Sequence, residues 1–516
     1  MKRSVLKLVF GSLLLGTGLA TMTGWAMAQS TASGSSDAPA SSGNASDNPA
    51  ATQSGETAIS NTGVAPPASG LPAGSQEAYT LPGPNNILPP TNIVTNGTNG
   101  LYQLPTNPPG AATTDYICAE TCISSFAITT QGVLGRIRPD YDAKGVPLGG
   151  FRFFPSLDVG ATYTDNVYYT NTDEKTDTIF TIAPRLDLQS QWARHAVELY
   201  AGLQQQQYVN FGSETQTNWD VGGSGRLDLL RGMDLLDNLS FQTNHEPRYS
   251  PDALGLQKDP TQFEVFHESL EGDYKPNNLG FQLIGTYEDY NYNDVPLIGG
   301  GILSNRDRDR GLLTGFAKVS YDFSPGYTVF VQSAYNDRNY SLHLDRSGVD
   351  RDSDGWRGDA GVDILLTHLI EGEFYVGYED EEYKLPLQNV SGLDYEATVH
   401  WYATNLITVN IGAEHDIVDT ILTGYSATND QQLFVDADYE LLRNLILRGT
   451  LTYSDTKFKG GIERDDNYWT FDLSAQYLIN RYFSLNADYL FNTRASSVPF
   501  SQYNNNEISI GLTAHL

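Results

Sequence analysis

The residues best arranged to do chemistry are Asp350-Arg-Asp352-Ser-Asp354-Gly355, where carboxylates at alternate positions precede a glycine as in the opening of a calcium loop. The twelfth position of such a loop, which should supply a bidentate glutamate, falls on Gly361. Asp350, Asp352 and Asp354 therefore make an incomplete calcium motif, and a solvated acidic loop is the preferred reading. Asn305-Arg-Asp-Arg-Asp-Arg310 reads as an external loop whose charges neutralise one another. Gly222-Gly223-Ser224-Gly225 has the glycine content of a phosphate cradle, but no Lys-Ser/Thr follows and its surroundings alternate like a strand. His245, His400 and His415 stand alone, at no spacing that makes a nucleophile-base pair or a zinc site. No catalytic residue, cofactor or resident metal is expected. Cys118 and Cys122 are the only cysteines, and their close spacing favours a small local disulfide over free thiols in an oxidising compartment.

Export to such a compartment is written at the N-terminus. Lys2, Arg3 and Lys7 precede an apolar run and an Ala26-Met27-Ala28 cleavage site, the pattern of a signal peptide over residues 1–28. After it, no stretch approaches the roughly 18 consecutive apolar residues of a spanning helix. The chain nonetheless holds 31 Tyr, 21 Phe and 49 Gly, with a formal charge of −31. Aromatic girdles and glycines suit a barrel wall, and acidity of this size argues against nucleic acid as a partner.

Residues 29–110 are dominated by Ser, Ala, Gly, Asn, Pro and Thr and are expected to be a disordered arm. Residues 111–150 form a transitional segment, a plug or a strand, that includes Cys118 and Cys122. From 151 to 516 the pattern is period-two alternation. Near the end, Phe483, Leu485, Ala487, Tyr489 and Phe491 share one face, while Ser484, Asn486, Asp488 and Asn492 share the other.

This reading yields about eighteen segments, beginning near residues 152, 177, 194, 216, 238, 260, 278, 309, 327, 354, 369, 392, 405, 428, 444, 466, 482 and 504. Most are longer than the ~5–6 residues of soluble strands and reach the ~9–11 that cross a bilayer. Tight turns, such as Ser324-Pro325-Gly326 and Arg443-Asn444, alternate with longer polar stretches; a looser turn is read at 233–237. The expected fold is all-β, a transmembrane antiparallel up-and-down barrel of about 18 strands with both ends facing the periplasm. A propeller is disfavoured, since two long strands rather than four short ones fill each period of ~40 residues.

Lipid offers no hydrogen bonds, so the backbone must pair within a closed sheet and outward side chains must be apolar. The other face carries Asp158, Asp187, Asp228, Asp363, Glu373, Glu414, Asp436, Asp438, Asp472 and Asp488, which a water-filled lumen can hold and an oily core cannot. Arg185, Arg226 and Arg448 are expected on that same inward face.

Phe154-Pro-Ser-Leu-Asp-Val-Gly160, Thr178-Ile-Phe-Thr-Ile-Ala-Pro-Arg-Leu186, Ser324-Pro-Gly-Tyr327 and Asp350-Arg-Asp-Ser-Asp-Gly355 carry a resemblance to a family. Over about 151–516 the chain resembles the outer-membrane β-barrel porin family often associated with exopolysaccharide loci. The resemblance implies an outer-membrane barrel serving polysaccharide export or assembly, with periplasmic polysaccharide-export proteins among its partners, and no catalytic residues. Outer-membrane lipid and lipopolysaccharide and the barrel assembly machinery are the other expected partners. The end, Ala514-His515-Leu516, departs from the aromatic terminus usual in such barrels. Export of a hydrophilic polymer, or scaffolding of its secretion complex, is the leading expectation; a general diffusion porin and a receptor or adhesin with a blocked lumen are the alternatives.

Overall fold

The computed structural model describes residues 132–516, apart from Ile137, Leu254 and Phe500. The expected signal peptide, the arm at 29–110, and Cys118 and Cys122 lie outside the described residues.

Eighteen long strands follow one another: β1 (Phe151–Thr164), β2 (Asp177–Ser190), β3 (Ala196–Tyr208), β4 (Gln216–Leu230), β5 (Met233–His245), β6 (Gln262–Tyr274), β7 (Leu279–Tyr292), β8 (Arg310–Ser324) and β9 (Tyr327–Tyr340). The second half runs β10 (Ser353–Thr367), β11 (Ile370–Tyr383), β12 (Val390–Thr404), β13 (Ile407–Asp419), β14 (Ala427–Leu442), β15 (Leu445–Lys459), β16 (Arg464–Asn480), β17 (Phe483–Ser496) and β18 (Tyr503–His515). Each pairs antiparallel with its neighbour in sequence, and β18 pairs with β1 from Glu507–Thr164 to His515–Ser156. The sheet thus closes with no free edge, which is how strands satisfy their backbone in lipid. Strands of 13–17 residues exceed what a tilted bilayer crossing requires. Their far ends therefore continue beyond it.

One rim is made of short connections. Six are two-residue turns, and the register slips by a bulge next to each, as between Asp322 and Ser324 or Glu440 and Leu442. The repeated turn and bulge go with similar hairpin sequences, Tyr439-Glu-Leu-Leu-Arg-Asn-Leu-Ile-Leu447 beside Tyr477-Leu-Ile-Asn-Arg-Tyr-Phe-Ser-Leu485. The turn expected at 233–237 is instead the pair Arg231–Gly232, and β5 starts at Met233. Gly232 has φ +70, a left-handed geometry that glycine adopts without strain, and the Lys275 carbonyl lies where a Cβ would go.

Alternation sorts the side chains as lipid and water require. The outer face exposes Phe180, Ile182, Val331, Leu473, Leu485 and Ile510, with Trp219, Tyr335 and Trp469 towards one rim and Tyr321, Trp401 and Tyr477 towards the other. Such paired aromatic bands mark the two interfaces of a membrane barrel. Register places Asp237 and Glu268 among the apolar residues of this face, and Glu264, Asp289, Asp337 and Asp380 on it nearer the rim of long connections. Among the described residues there is no single oily core: buried apolar side chains occur as small groups on the inner wall, such as Ile284, Phe316 and Ala334.

Candidate functional site: the lumen and its two mouths

At the rim of short turns, residues 132–145 pack against the inside of the wall. Val133 is buried against Ile446, Leu478 and Tyr141, and its amide donates to Thr408 Oγ1 at 2.9 Å. Glu440 Oε2 accepts from Arg136 at 2.6 Å and from Arg138 at 3.0 Å. Gly145 N donates to the Leu516 carbonyl, and Val146–Leu148 add a short strand to β1. The described part of the transitional segment is therefore both an inner lining of this mouth and an edge extension.

Along the lumen, the inward-facing carboxylates meet partners on the same, adjacent or nearby strands. Arg185 reaches Asp187 at 3.0 Å and Asp220 at 3.3 Å; Arg226 reaches Asp228 at 2.8 Å; Lys318 reaches Glu373 at 3.2 Å. Arg448 lies 3.3 Å from Asp436 and 3.7 Å from Asp438. Asp158 accepts from the Thr513 hydroxyl, and Glu414 accepts from the Gln432 amide at 2.7 Å. Asp363 lies opposite Glu373, and Asp472 opposite Thr450 on one side and Leu490 on the other. Asp488 lies opposite Ser474 and Ser509. The three arginines are thus dispersed among carboxylates rather than gathered into one anion track. Sequence reasoning missed Arg338 and Arg357, which pair with Glu381 (3.2 Å) and Asp394 (3.4 Å). Their inward parity on β9 and β10 was the available signal.

The tops of β13 and β14 break the simple alternation. By parity His415, Ile417 and Asp419 continue the outer face of β13, yet all three are buried. Pairing between β12 and β13 stops at Tyr395–His415 although both strands run on. The hairpin end leans into the lumen: Ile417 and Ala427 pack on Tyr383, Leu387 and Val390, and Asp419 accepts from the Tyr340 hydroxyl.

The long connections interlock above this level. The segment 246–261, between β5 and β6, is their common partner. Glu246 receives both Arg308 terminal nitrogens at 2.9 and 2.7 Å, and Arg248 grips both oxygens of Glu214 at 2.7 Å. Tyr249 packs on Tyr169 with centroids 4.7 Å apart and the rings tilted by 54°, and Tyr169 meets Tyr503 edge-on at 5.1 Å. Asp252 Oδ1 accepts from the Thr420 hydroxyl at 2.7 Å and from the Ile421 amide at 3.2 Å. Arg346 binds Asp307 through Nε and Nη2, both at 2.7 Å. Burial alone would push the Asp307 carboxyl up, but these hydrogen bonds outweigh it and hold it below the usual carboxylate range.

The expected self-neutralising loop at 305–310 is overturned by these contacts. Arg308 pairs with Glu246, Asp307 with Arg346, and Arg310 turns inward over the Tyr290 ring at 4.9 Å. Local repulsion and attraction average out along a solvated loop, whereas a packed neighbour offers a buried, bidentate partner. Asp350, Asp352 and Asp354 do not come together. Asp350 faces His343, Asp352 accepts from the Tyr340 amide, and Asp354 lies near Lys384. Among the described residues no group of three His, Cys, Asp or Glu side chains is placed to hold a metal ion. Gly222-Gly223-Ser224-Gly225 lies inside β4, paired on both sides. His245 contacts Asn218 and His400 contacts Asn410, each at 2.7 Å, while His415 faces Glu379 at 3.1 Å.

An apolar exterior, a polar interior and a closed antiparallel wall define a porin-like transmembrane β-barrel. The chain belongs to the family described as "Putative beta-barrel porin 2", whose model matches residues 138–516. No curated protein matches the sequence. Similar solved structures include the siderophore receptor PirA from Acinetobacter baumannii, at 8% identity and TM-score 0.41, covering 70% of this chain and 80% of that one. Pseudomonas aeruginosa OpdO is 14% identical at TM-score 0.38, covering 71% of this chain and 97% of its own. Pseudomonas aeruginosa OpdL is 12% identical at TM-score 0.39, covering 72% and 99%.

Proposed function

We propose that this barrel is an outer-membrane conduit for a hydrophilic polymer, an exopolysaccharide of neutral or weakly charged units. The observation that carries the reading is the inner wall, where carboxylates are interspersed with arginines, amides and hydroxyls on adjoining strands. Such a wall holds water and offers hydrogen bonds to a hydroxyl-rich chain. Among the described buried residues carboxylates outnumber cations, which disfavours a strongly anionic cargo. The resemblance of the 154–160, 178–186 and 350–355 motifs to barrels of exopolysaccharide loci supports the polymer. In this reading the rim of short turns faces the periplasm, where export proteins would deliver the chain and the assembly machinery would recognise β18. Lipid and lipopolysaccharide would surround the outer face.

The test is a strain lacking the protein. Loss of extracellular polysaccharide, restored by the full chain, is the expected result; undiminished output would sink the polymer reading. A general diffusion porin is the alternative, distinguished by steady open conductance of the purified barrel without any partner.

A further inference from the structure

The connections between β5 and β6 and between β13 and β14 are separated by eight strands of the eighteen-strand wall, so they spring from nearly opposite sides of the barrel. Yet Asp252 of the first bonds both Thr420 and Ile421 of the second. That contact can form only if the two segments meet across the mouth. The β13–β14 tip is itself drawn inward, clasped by Arg351, whose guanidinium donates to the Thr420 and Leu422 carbonyls at 2.6 and 3.2 Å.

We propose that the segment 246–261 is a gate over the mouth opposite the short turns, latched shut by the Glu246–Arg308 pair. The latch is suited to two discrete states. Both partners are buried and bidentate, so they exclude water and hold one geometry firmly. A buried pair is also unforgiving: neutralising one side leaves the other charge without compensation in the closed state and shifts the population towards an arrangement where water can reach it. Arg308 also lies over the Tyr292 ring, 4.1 Å from Arg carbon to centroid, which ties the latch to the top of β7. The side of the gate nearer β1 is held differently, by the Tyr249–Tyr169–Tyr503 cluster and the Arg248–Glu214 grip. The releasable side is therefore the one that carries Glu246 and Asp252, and release there opens the mouth while the aromatic cluster acts as the hinge. The inference does not depend on which cargo the lumen carries.

Single-channel recording of the full mature chain in planar bilayers tests it. The unmodified protein should be closed most of the time. Glu246→Gln and Arg308→Gln should each raise the open fraction about tenfold, as expected of a coupling of ordinary size. The charge exchange Glu246→Arg with Arg308→Glu should return it towards the original value. Heat-modifiable migration on gels shows that each variant has formed its barrel. As a second route, Asp252→Cys with Thr420→Cys, made with Cys118 and Cys122 replaced by Ser, should be held closed by a short bifunctional thiol reagent that bridges the two segments. An unmodified barrel already steadily open would overturn the proposal. So would folded variants whose open fraction is unchanged, or a bridged double cysteine that still conducts.

Discussion

At the scale of single residues, one step along a strand decides between lipid and water. Leu485 is exposed on the outer face, while Asn486 points inward and donates to Thr513 Oγ1 at 3.0 Å. Leu485→Arg should impair membrane insertion, because arginine facing lipid costs ~2–4 kcal/mol near the midplane. Asn486→Arg should assemble almost normally. Insertion yields measured side by side check this, and equal yields would mean the faces are exchanged. Glycine parity matters in the same way. The Phe434 ring lies directly over Gly412 on the adjacent strand, so an added side chain would collide with it. Gly412→Val should destabilise the barrel by about 1–3 kcal/mol, the usual cost of overpacking. A lower temperature for the heat-modification shift is the readout; an unchanged one would mean the ring moves aside freely.

At the scale of elements, the walls are regular and the connections carry the individuality. The Arg346–Asp307 contact ties the connection after β9 to the one before β8, and Asp345 within it accepts from Ser347 and Val349 and from Arg351 Nε at 2.7 Å. Burial opposes ionisation of Asp345 too, but these hydrogen bonds prevail and lower it from its ordinary value. Asp307 is lowered likewise. A carboxyl depressed by folding contributes stability above its unfolded pKa of about 3.9 and loses it as pH falls through the lower folded value. The connection at 341–352 should therefore keep its protection from neutral pH down to about pH 5 and loosen only below about pH 4. Hydrogen exchange or peptic cleavage across that range measures this, with Asp307→Asn expected to loosen it at every pH. Loosening already near pH 6 would contradict the assignment.

At the scale of the whole molecule, the inner wall predicts selectivity. Buried carboxylates such as Asp394, Asp436, Asp438, Asp472 and Asp488 exceed the arginines beside them, so an open lumen should prefer cations. A reversal potential across a salt gradient checks the sign; anion preference at neutral pH would refute it and reopen acidic polysaccharides as cargo. The barrel itself was legible in the sequence because period-two alternation is a local pattern with a global cause: lipid on one face and water on the other force it at every strand. Seventeen of the expected strand starts lie within two residues of those found, and the exception, 238 against Met233, came from taking a two-residue turn for a looser one. Parity assigns the ten carboxylates from Asp158 to Asp488 to one face of their strands for the same reason. What alternation could not carry was anything set by closure. Which strands stand opposite, which loop reaches which, and where a hairpin leans off its cylinder depend on contacts between residues hundreds of positions apart. Hence His415, Ile417 and Asp419 had outward parity but lie buried, and the charges of 305–310 had obvious local partners but took distant ones. The sequence determined the wall, because each strand meets the same two solvents. Only the tertiary structure decided the mouths, because there the partners are other parts of the chain.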